Sequence, residues 1–348
     1  MLNKGMLINN TLLVKKTNTE LVRVEMRRSK TATRAEIAQL TGLSIATCGN
    51  ILGEMLKSNE IFAGEMEESS GGRPAQRYRY NENFIQVACI SVEYDNLTKT
   101  IRYFVANSFG DIIEEDKQVY DMVTYDTISK ITQLILNKFP NIPSLTISIP
   151  GESYEGVIRF CDIEELKGVP MELDLAKEYN IKVHVEGSPH VTVYGYYKLN
   201  PELYGKTVAI LIAPINVHLG SGIIVNGQLI KGDKHLAGEI SFIASGNTRE
   251  EALKIMATDK EFFMNSLVTA ATAIISVVNP ARLAITGGAV HENMRDILYQ
   301  KCRDIVPEVF MPQLEIIPNV QEFLENGLIQ MAINHTSSSL KLITDNLS

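Results

Sequence analysis

The chain reads TRAEIAQLTGLSIATCGNILGEM from Thr33 to Met55, and this stretch decides the fold around it. Thr33 and Glu36 have the spacing of a capping box, which predicts that a helix begins at Thr33. Gly42 stands where the chain must turn sharply, because glycine enters the left-handed region at little cost. Ser44 can cap a second helix. The stretch therefore predicts two short helices around a tight turn.

The second predicted helix has two different faces. Apolar residues recur on one side at spacings of three and four, which predicts a buried stripe of Cys48, Ile51, Leu52 and Met55. The other side carries mostly small residues, namely Ile45, Ala46, Gly49 and Asn50. A helix of this kind can approach another surface closely, as the second helix of a helix-turn-helix does in the major groove of DNA. An ordinary helical hairpin has the same caps, so the flanking residues distinguish the two interpretations.

These flanking residues complete the pattern of a winged helix. Residues 1–16 lack periodicity and are predicted to be partly disordered, whereas a helix is predicted from Thr17 to Arg28. After the helix-turn-helix, Ile61–Ala63 and Gln76–Tyr80 predict the two strands of a hairpin. Three helices followed by a hairpin form a winged-helix domain, and we expect it to span residues 1–82.

The loop of this hairpin contains the sequence Gly72-Arg73-Pro74. Glycine and proline leave a thin backbone from which one arginine projects, and such an arm fits the narrow minor groove of A·T-rich DNA. A surface turn with a solvated arginine is the alternative, and the preceding helix-turn-helix favours the arm. Asn50 is suited to an adenine edge. The predicted DNA contacts are Thr33, Arg34, Ser44, Ile45, Ala46, Thr47, Gly49, Asn50, Gly72 and Arg73.

Charge is distributed unevenly along the 348 residues, a length that suggests two or three domains. The whole chain has a formal net charge of -8. Residues 1–80 contain 12 Lys and Arg against 8 Asp and Glu, a net of +4, so the remainder carries -8 - 4 = -12. A basic front on an acidic body is typical of one DNA-binding module joined to another domain.

Several other classes of protein find no support in the sequence. The four cysteines, at positions 48, 89, 161 and 302, have no metal-binding spacing and indicate buried thiols in a reducing compartment. The first 30 residues lack the pattern of a signal peptide, and no uncharged apolar run approaches 18 residues. We therefore expect a cytoplasmic protein that does not contact a membrane.

From residue 83 onward, apolar strands alternate with helices, which predicts an α/β fold. Helices are expected at about 127–137, 173–179, 262–278 and 326–332. Strands are expected at 87–92, 101–105, 111–119, 145–149, 181–186, 208–213, 220–225, 228–230 and 283–286. Asn226-Gly227 is a strong hairpin signal between two of these strands.

Several motifs, in the right order, resemble the ROK family of bacterial repressors and sugar kinases. The front part resembles its repressors in residues 33–38, 41–44, Thr47 and 70–74. The back part resembles its kinase-like body in Ile149-Pro150-Gly151, in Ala237-Gly238-Glu239-Ile240, and in Asn279-Pro280 followed by Gly287-Gly288. The resemblance implies an actin/hexokinase-like body, related to ribonuclease H. It would occupy residues 83–348, with one lobe of about 83–195 plus 325–348 and another of about 196–324.

The departures from the family argue against an active kinase. Where ROK kinases wrap ATP phosphates with an Asp-x-Gly-x-Thr loop, this chain has Ser91–Leu97, and the second phosphate loop, Ala213–Gly220, has lost its early glycines. Ser188 stands at the position of the family's aspartate base, and a serine hydroxyl cannot accept a proton as a carboxylate does. The family's zinc histidine is replaced by Phe242, and its cysteine run is missing. We therefore predict no catalytic residues, no metal and no cofactor.

The resemblance also implies an effector site at Gly151, Glu186, Ser188, His190 and Glu239. A structural role is the alternative for His190, and capping or strand-end packing for Glu186. We predict a transcriptional regulator of carbohydrate genes, most readily a repressor, that binds operator DNA as a homodimer or homotetramer and responds to a small sugar. The alternatives are a sugar kinase with a DNA-binding domain and a regulator that no longer senses a sugar.

Overall fold

Three helices and three strands form the first of two compact units in the computed structural model, which describes residues 4–67, 75–243 and 247–336. This unit contains residues up to 86 together with 106–113. Its elements are α1 (Lys4–Ser29), β1 (Thr31–Thr33), α2 (Arg34–Thr41), α3 (Ile45–Lys57), β2 (Ile61–Glu67) and β3 (Ala75–Tyr80). The strands form an antiparallel sheet in the order β1-β3-β2. This arrangement is a winged helix.

The predicted caps hold the two central helices. Glu36 N donates to Thr33 Oγ1 at 3.3 Å and Thr33 N donates to Glu36 Oε2 at 2.7 Å, which completes a capping box. Gly42 has φ +69°, a left-handed conformation that a side chain would strain, and it ends α2. Thr47 N donates to Ser44 Oγ at 3.1 Å, so Ser44 caps α3. The predicted helix-turn-helix geometry is confirmed.

The core of the winged helix contains the predicted stripe and corrects one other expectation. Cys48, Ile51, Leu52 and Met55 are all buried. In the short α2, Ile37 is buried and Leu40 is half exposed. The N-terminal helix begins at Lys4 and not at Thr17. A polar sequence concealed this early start, and the part from Val22 to Met26 packs into the core.

The second unit, residues 87–105 and 114–336, contains two five-stranded sheets with the same topology. The first sheet has the order β10-β7-β4-β5-β6 and the second β13-β12-β11-β14-β15. In each sheet, the strand that is fourth in chain order pairs in parallel with the first strand on one side and with the fifth strand on the other. The first sheet comprises β4 (Val87–Asp95), β5 (Thr98–Ala106), β6 (Ile112–Tyr120), β7 (Ser144–Ile149) and β10 (Lys182–Gly187). The second comprises β11 (Val208–Ile212), β12 (Gly220–Val225), β13 (Gln228–Leu229), β14 (Arg282–Thr286) and β15 (Gln313–Ile317).

Helices and one small hairpin surround these sheets. The hairpin consists of β8 (Gly151–Tyr154) and β9 (Val157–Cys161). The helices are α4 (Tyr125–Lys138), α5 (Met171–Tyr179), α6 (Ser188–Leu199), α7 (Arg249–Met256), α8 (Lys260–Val278), α9 (Arg295–Arg303) and α10 (Gln321–Thr336). The predicted α/β fold is confirmed. The sequence patterns missed β8, β9, α6, α7, α9 and β15, which are short or lack a clean period.

One helix, α8, is long and apolar enough to cross a membrane by length and composition alone. Seven of its residues are buried against the second sheet: Leu267, Val268, Ala270, Ala271, Thr272, Ile274 and Ile275. Packing of this kind is typical of a core helix, and a core helix can be as long and as apolar as a membrane span.

Candidate functional sites

The outer surface of α3 is the first candidate site. Ile45, Ala46 and Asn50 are exposed, and Ile45 has 58% of its surface open to solvent. Within the described part of the chain, the Asn50 amide makes no hydrogen bond. Burial of Cys48 and Leu52 fixes the rotation of the helix, so Ile45, Ala46 and Asn50 point outward together. An exposed polar side chain among small residues is suited to contact another molecule.

Arg34 lies across this surface. A methyl group added at Gly49 would lie 3.1 Å from the Arg34 guanidinium carbon, so the arginine passes over α3 at the position where no side chain stands. Arg34 makes no ion pair with the residues that the structure describes, whereas its neighbour Glu36 binds Arg77 at 3.1 Å. One positive group therefore stands unneutralised beside the exposed face of α3.

The other predicted DNA contacts differ in their exposure and in the internal hydrogen bonds that they make. Thr33 is 5% exposed and its hydroxyl already accepts the capping hydrogen bond. Ser44 and Thr47 stand at the start of α3 with their hydroxyl oxygens 2.8 Å apart. Gly72 and Arg73 lie outside the described residues, in the seven-residue connection between β2 and β3.

The second candidate site is a buried group of charges at the end of β10. Glu186 is the last residue but one of this strand and His190 follows four residues later in α6, with Glu186 Oε1 3.0 Å from His190 Nδ1. His190 Nε2 lies 3.1 Å from the carbonyl oxygen of Ala237. The other oxygen of Glu186 contacts Lys231 Nζ and lies 3.1 Å from His184 Nε2. Two of the predicted effector residues are therefore in direct contact.

Glu152 joins this group, although it was not among the predicted effector residues. Its Oε1 lies 3.5 Å from His190 Nδ1, and its Oε2 is buried without a hydrogen-bond partner among the described residues. Gly187 makes room for it, because a methyl group there would lie 2.2 Å from Glu152 Oε1. The available signal was its position directly after Pro150-Gly151. We call Glu152, Glu186 and His190 the buried triad.

Burial and pairing shift the pKa values within the triad in different directions. Burial raises the pKa of the Glu152 carboxyl to about 8, although the charge of His190 opposes the rise. Burial alone would raise the pKa of Glu186, but hydrogen bonds from His184 and His190 and the charge of Lys231 hold it well below its ordinary value. Burial would lower the pKa of His190, yet its hydrogen bond to Glu186 and the two carboxylates raise it to about 9. Glu186 and His190 therefore form a charged pair at neutral pH.

The remaining predicted effector residues surround the triad less tightly. The Ser188 hydroxyl donates to the carbonyl of Ile149 at 2.8 Å. Gly151 packs its backbone against Phe160, since a methyl group there would lie 2.2 Å from the carbonyl oxygen. Glu239 is half-buried and accepts a hydrogen bond from Ser241 Oγ at 3.2 Å, and burial raises its pKa. Glu239 interacts with the triad through its charge and makes no hydrogen bond to it within the described ranges.

No protein-family model matches the sequence. The xylose repressor of Caldicellulosiruptor bescii is 23% identical over 244 residues, which cover 67% of this chain and 60% of that protein. The xylose repressor of Bacillus subtilis is 23% identical over 242 residues, covering 67% and 62%. The chain thus spans about three fifths of the length of these curated relatives.

Among solved structures, a ROK family transcriptional regulator, described as a homolog of the Escherichia coli MLC protein, superposes with a TM-score of 0.65 at 16% identity. The superposition covers 92% of this chain and 99% of the regulator. The predicted ROK-family resemblance is confirmed. A putative N-acetylmannosamine kinase from Listeria monocytogenes, with a TM-score of 0.59 and 15% identity, covers 72% of this chain. This coverage fits a ROK body without the winged helix.

The two loops at the positions of the ROK phosphate loops bind each other. Ile215 N donates to Asp95 Oδ1 at 2.6 Å, and Asn96 N donates to the Ile215 carbonyl at 2.8 Å. Asn216 Nδ2 also donates to Asn96 Oδ1 at 3.0 Å. The backbone N–H groups of Asn96 and Ile215 are therefore already used within the protein.

The positions of the ROK zinc site do not fit zinc. Phe242, at the histidine position, packs its ring 5.5 Å from that of Phe160. The Arg249 guanidinium lies over both rings, at 4.5 Å and 5.6 Å, and binds Asp162 at 2.8 Å. A cation with its own carboxylate occupies this region. All four cysteines are buried, and Cys161, which follows Phe160 in β9, is the one of the four in this segment. One thiol beside a phenylalanine does not supply the ligands of a cysteine-rich zinc site.

Proposed function

We propose that this protein is a sequence-specific DNA-binding repressor of genes for carbohydrate uptake or use. The observation that carries the proposal is the outer surface of α3, which presents Ile45, Ala46 and Asn50 without internal partners while its buried stripe fixes their direction. Arg34 supplies a positive charge at the same surface for a phosphate. The names of the curated relatives, which are xylose repressors, support the same function.

The same proposal includes a homodimer or homotetramer and a small sugar effector. Two winged helices related by symmetry would bind a palindrome, with half-sites about one helical turn apart. The effector is a neutral or amino sugar bound weakly by Gly151, Glu186, Ser188, His190 and Glu239, because two carboxylates accept hydrogen bonds from hydroxyls and repel phosphate. A protein of this function acts in the cytoplasm.

We also propose that the protein does not transfer phosphate. The hydrogen bonds that join Asp95 and Asn96 to Ile215 and Asn216 support this, since they use the groups that would hold ATP phosphates. Ser188 is a poor general base, and its hydroxyl donates to Ile149. An assay of ATP turnover with a panel of sugars should show no sugar-dependent rate, and a sugar-dependent rate would establish the kinase alternative.

Binding to genomic DNA tests the main proposal. Fragments of the host genome enriched by the full-length protein would supply an operator, whose affinity is then measured by fluorescence anisotropy. Asn50→Ala should weaken operator binding by about 1–3 kcal/mol and leave binding to random DNA nearly unchanged. Asn137→Ala, the same change on the exposed face of α4, is the matched control and should have no effect. Equal losses by Asn50→Ala on operator and random DNA would refute direct base recognition.

The effector is tested on the same complex. Addition of xylose, followed by other neutral and amino sugars, should change operator affinity in the wild-type protein. Glu239→Gln should abolish that change while leaving the sugar-free affinity intact. A regulator that no sugar affects would establish the effector-independent alternative. Glu239→Gln that also weakens sugar-free DNA binding would show a structural role for Glu239.

A further inference from the structure

The buried triad has inward and outward atoms with different surroundings. The outward atoms are all held by neighbours: His190 Nε2 by the carbonyl of Ala237, and Glu186 Oε2 by Lys231 and His184. The inward atoms are Glu186 Oε1, His190 Nδ1 and the Glu152 carboxylate, which contact one another and, among the residues that the structure describes, no other polar side chain. In metal sites, ligands are commonly oriented in this way, by hydrogen bonds on the atoms that face away from the ion.

The spacing of the inward atoms fits a metal ion. His190 Nδ1 lies 3.0 Å from Glu186 Oε1 and 3.5 Å from Glu152 Oε1, and all three residues offer ligand atoms within 4.8 Å of one another. Zinc bonds to nitrogen and oxygen of about 2.0–2.2 Å in a tetrahedron place neighbouring ligands about 3.3 Å apart. No large movement is therefore needed for the three residues to bind one ion.

A separate observation points to a missing ligand. Glu152 is 5% exposed, and its Oε2 has no hydrogen-bond partner within the described part of the chain. A buried carboxylate oxygen without a partner costs free energy that a cation or a donor would recover. Lys231 Nζ contacts the other side of the site, at Glu186 Oε2, which leaves the Glu152 oxygen uncompensated.

We propose that Glu152, Glu186 and His190 bind one divalent transition-metal ion, with Zn²⁺ the best fit, through oxygen and nitrogen atoms alone. A histidine ligand favours zinc over magnesium, which prefers oxygen and water. On binding, the Nδ1 proton of His190 and the carboxyl proton of Glu152 leave for the solvent, and the freed lone pairs coordinate the ion. Three protein ligands leave a fourth position for water or for a hydroxyl of a ligand.

This site is distinct from the thiolate zinc site of the ROK family. The ligands of that family site are missing from this sequence, which is why no metal was predicted. The proposed site uses no cysteine, and it lies on β8, β10 and α6, not beside Phe242. The proposal does not depend on DNA binding or on the sugar effector. Its test is therefore made on the free protein.

The full-length protein, first treated with chelator and then freed of it, is titrated with ZnCl₂ by isothermal calorimetry. We expect one zinc per chain, and zinc X-ray absorption should show nitrogen and oxygen ligands at about 2.0–2.2 Å without sulfur. Glu152→Gln and His190→Gln should each weaken zinc binding by at least about 10-fold. Glu155→Gln, the same change at an exposed position of the same hairpin, should bind zinc as the wild-type protein does.

Circular dichroism without zinc shows which variants are folded. If His190→Gln does not fold, Glu152→Gln decides the outcome, since Glu152 Oε2 has no internal partner to lose. The proposal is wrong if the wild-type protein fails to bind zinc, if sulfur appears among the ligands, or if folded Glu152→Gln binds zinc with unchanged affinity.

Discussion

The outer surface of α3 and the buried triad place polar groups in opposite situations. At the outer surface of α3, Asn50 and the neighbouring Arg34 of α2 are exposed and have no partners among the described residues. In the body, Glu186 and His190 are buried and bind each other, and further charges surround them. A polar group with no internal partner contributes little to the stability of the fold. Its favourable interactions can be made only with another molecule. A buried, paired group contributes to stability whether or not a ligand is present, so mutations in the two regions should affect different measurements.

The largest effect on stability is expected from Glu186→Ala. This change leaves His190 and Lys231 facing each other without their carboxylate, which should lower the free energy of unfolding by about 3–5 kcal/mol. Urea denaturation followed by circular dichroism, with chelator present, measures it, because the chain has no tryptophan for fluorescence. Glu82→Ala, at an exposed carboxylate, should stay within about 0.5 kcal/mol of wild type. A loss of under 1 kcal/mol for Glu186→Ala would remove the contrast between the two regions.

Asp162→Asn should have a smaller effect that depends on pH. Burial alone would raise the pKa of Asp162, but hydrogen bonds from His218 and Arg249 hold it below its ordinary value. Its contribution is therefore present above the unfolded pKa of about 3.9 and is lost as pH falls through the lower folded pKa. We expect a loss of about 1.5–3 kcal/mol at pH 7 that shrinks below pH 4. A loss that is constant with pH would indicate a packing defect.

Arg34→Ala should change DNA binding and leave stability unchanged. Loss of one phosphate contact should weaken operator and random DNA alike, by about 1 kcal/mol, and reduce the slope of log affinity against log salt by about one. Arg295→Ala, at an exposed arginine in α9, is the matched control on the body. An unchanged salt slope for Arg34→Ala would show that Arg34 makes no phosphate contact.

The smallest change, Gly49→Ala, should move stability and DNA affinity in opposite directions. Alanine favours the helix over glycine by about 0.5–1 kcal/mol, and the three atoms nearest to the added methyl group belong to the flexible end of Arg34. The free protein should therefore be slightly more stable, as thermal unfolding measures. Operator binding should weaken, because the added methyl group separates α3 from the groove and displaces Arg34. A variant that binds the operator as tightly as wild type would show that Gly49 lies outside the interface.

Local chemistry explains why the winged helix was largely predictable. The caps at Thr33 and Ser44 and the turn at Gly42 involve neighbours within three residues, and the buried stripe of α3 repeats at helical spacing. The errors arose where the local signal is weak. The polar start of α1 has no apolar period, and β1 is only three residues long and depends on pairing with β3.

The buried triad shows what a sequence pattern cannot supply. Glu186 and His190 were predicted because they stand at positions that resemble the sugar-contact motif of the ROK family. Glu152 and Lys231 were missed, because their proximity to Glu186 and His190 arises from tertiary contacts between β8, β10 and the segment before Ala237. His184 lies two residues before Glu186 on the same strand and was a local signal that the prediction did not use. The parallel pairing of β7 with β10 sets Gly187 opposite Ile149 and so brings the following hairpin against α6.

The sequence by itself determined the α/β class, the helix-turn-helix with its buried and exposed sides, and the loss of the kinase and zinc motifs. Each of these depends on residue types at short, fixed spacings. Only the tertiary structure decided which charges are paired. It joined the two loops that contain Asp95 and Ile215, and it placed Glu152 over Gly187. Partners of a buried charge are fixed by strand register and close backbone approach, and neither is encoded at a spacing that a linear sequence reveals.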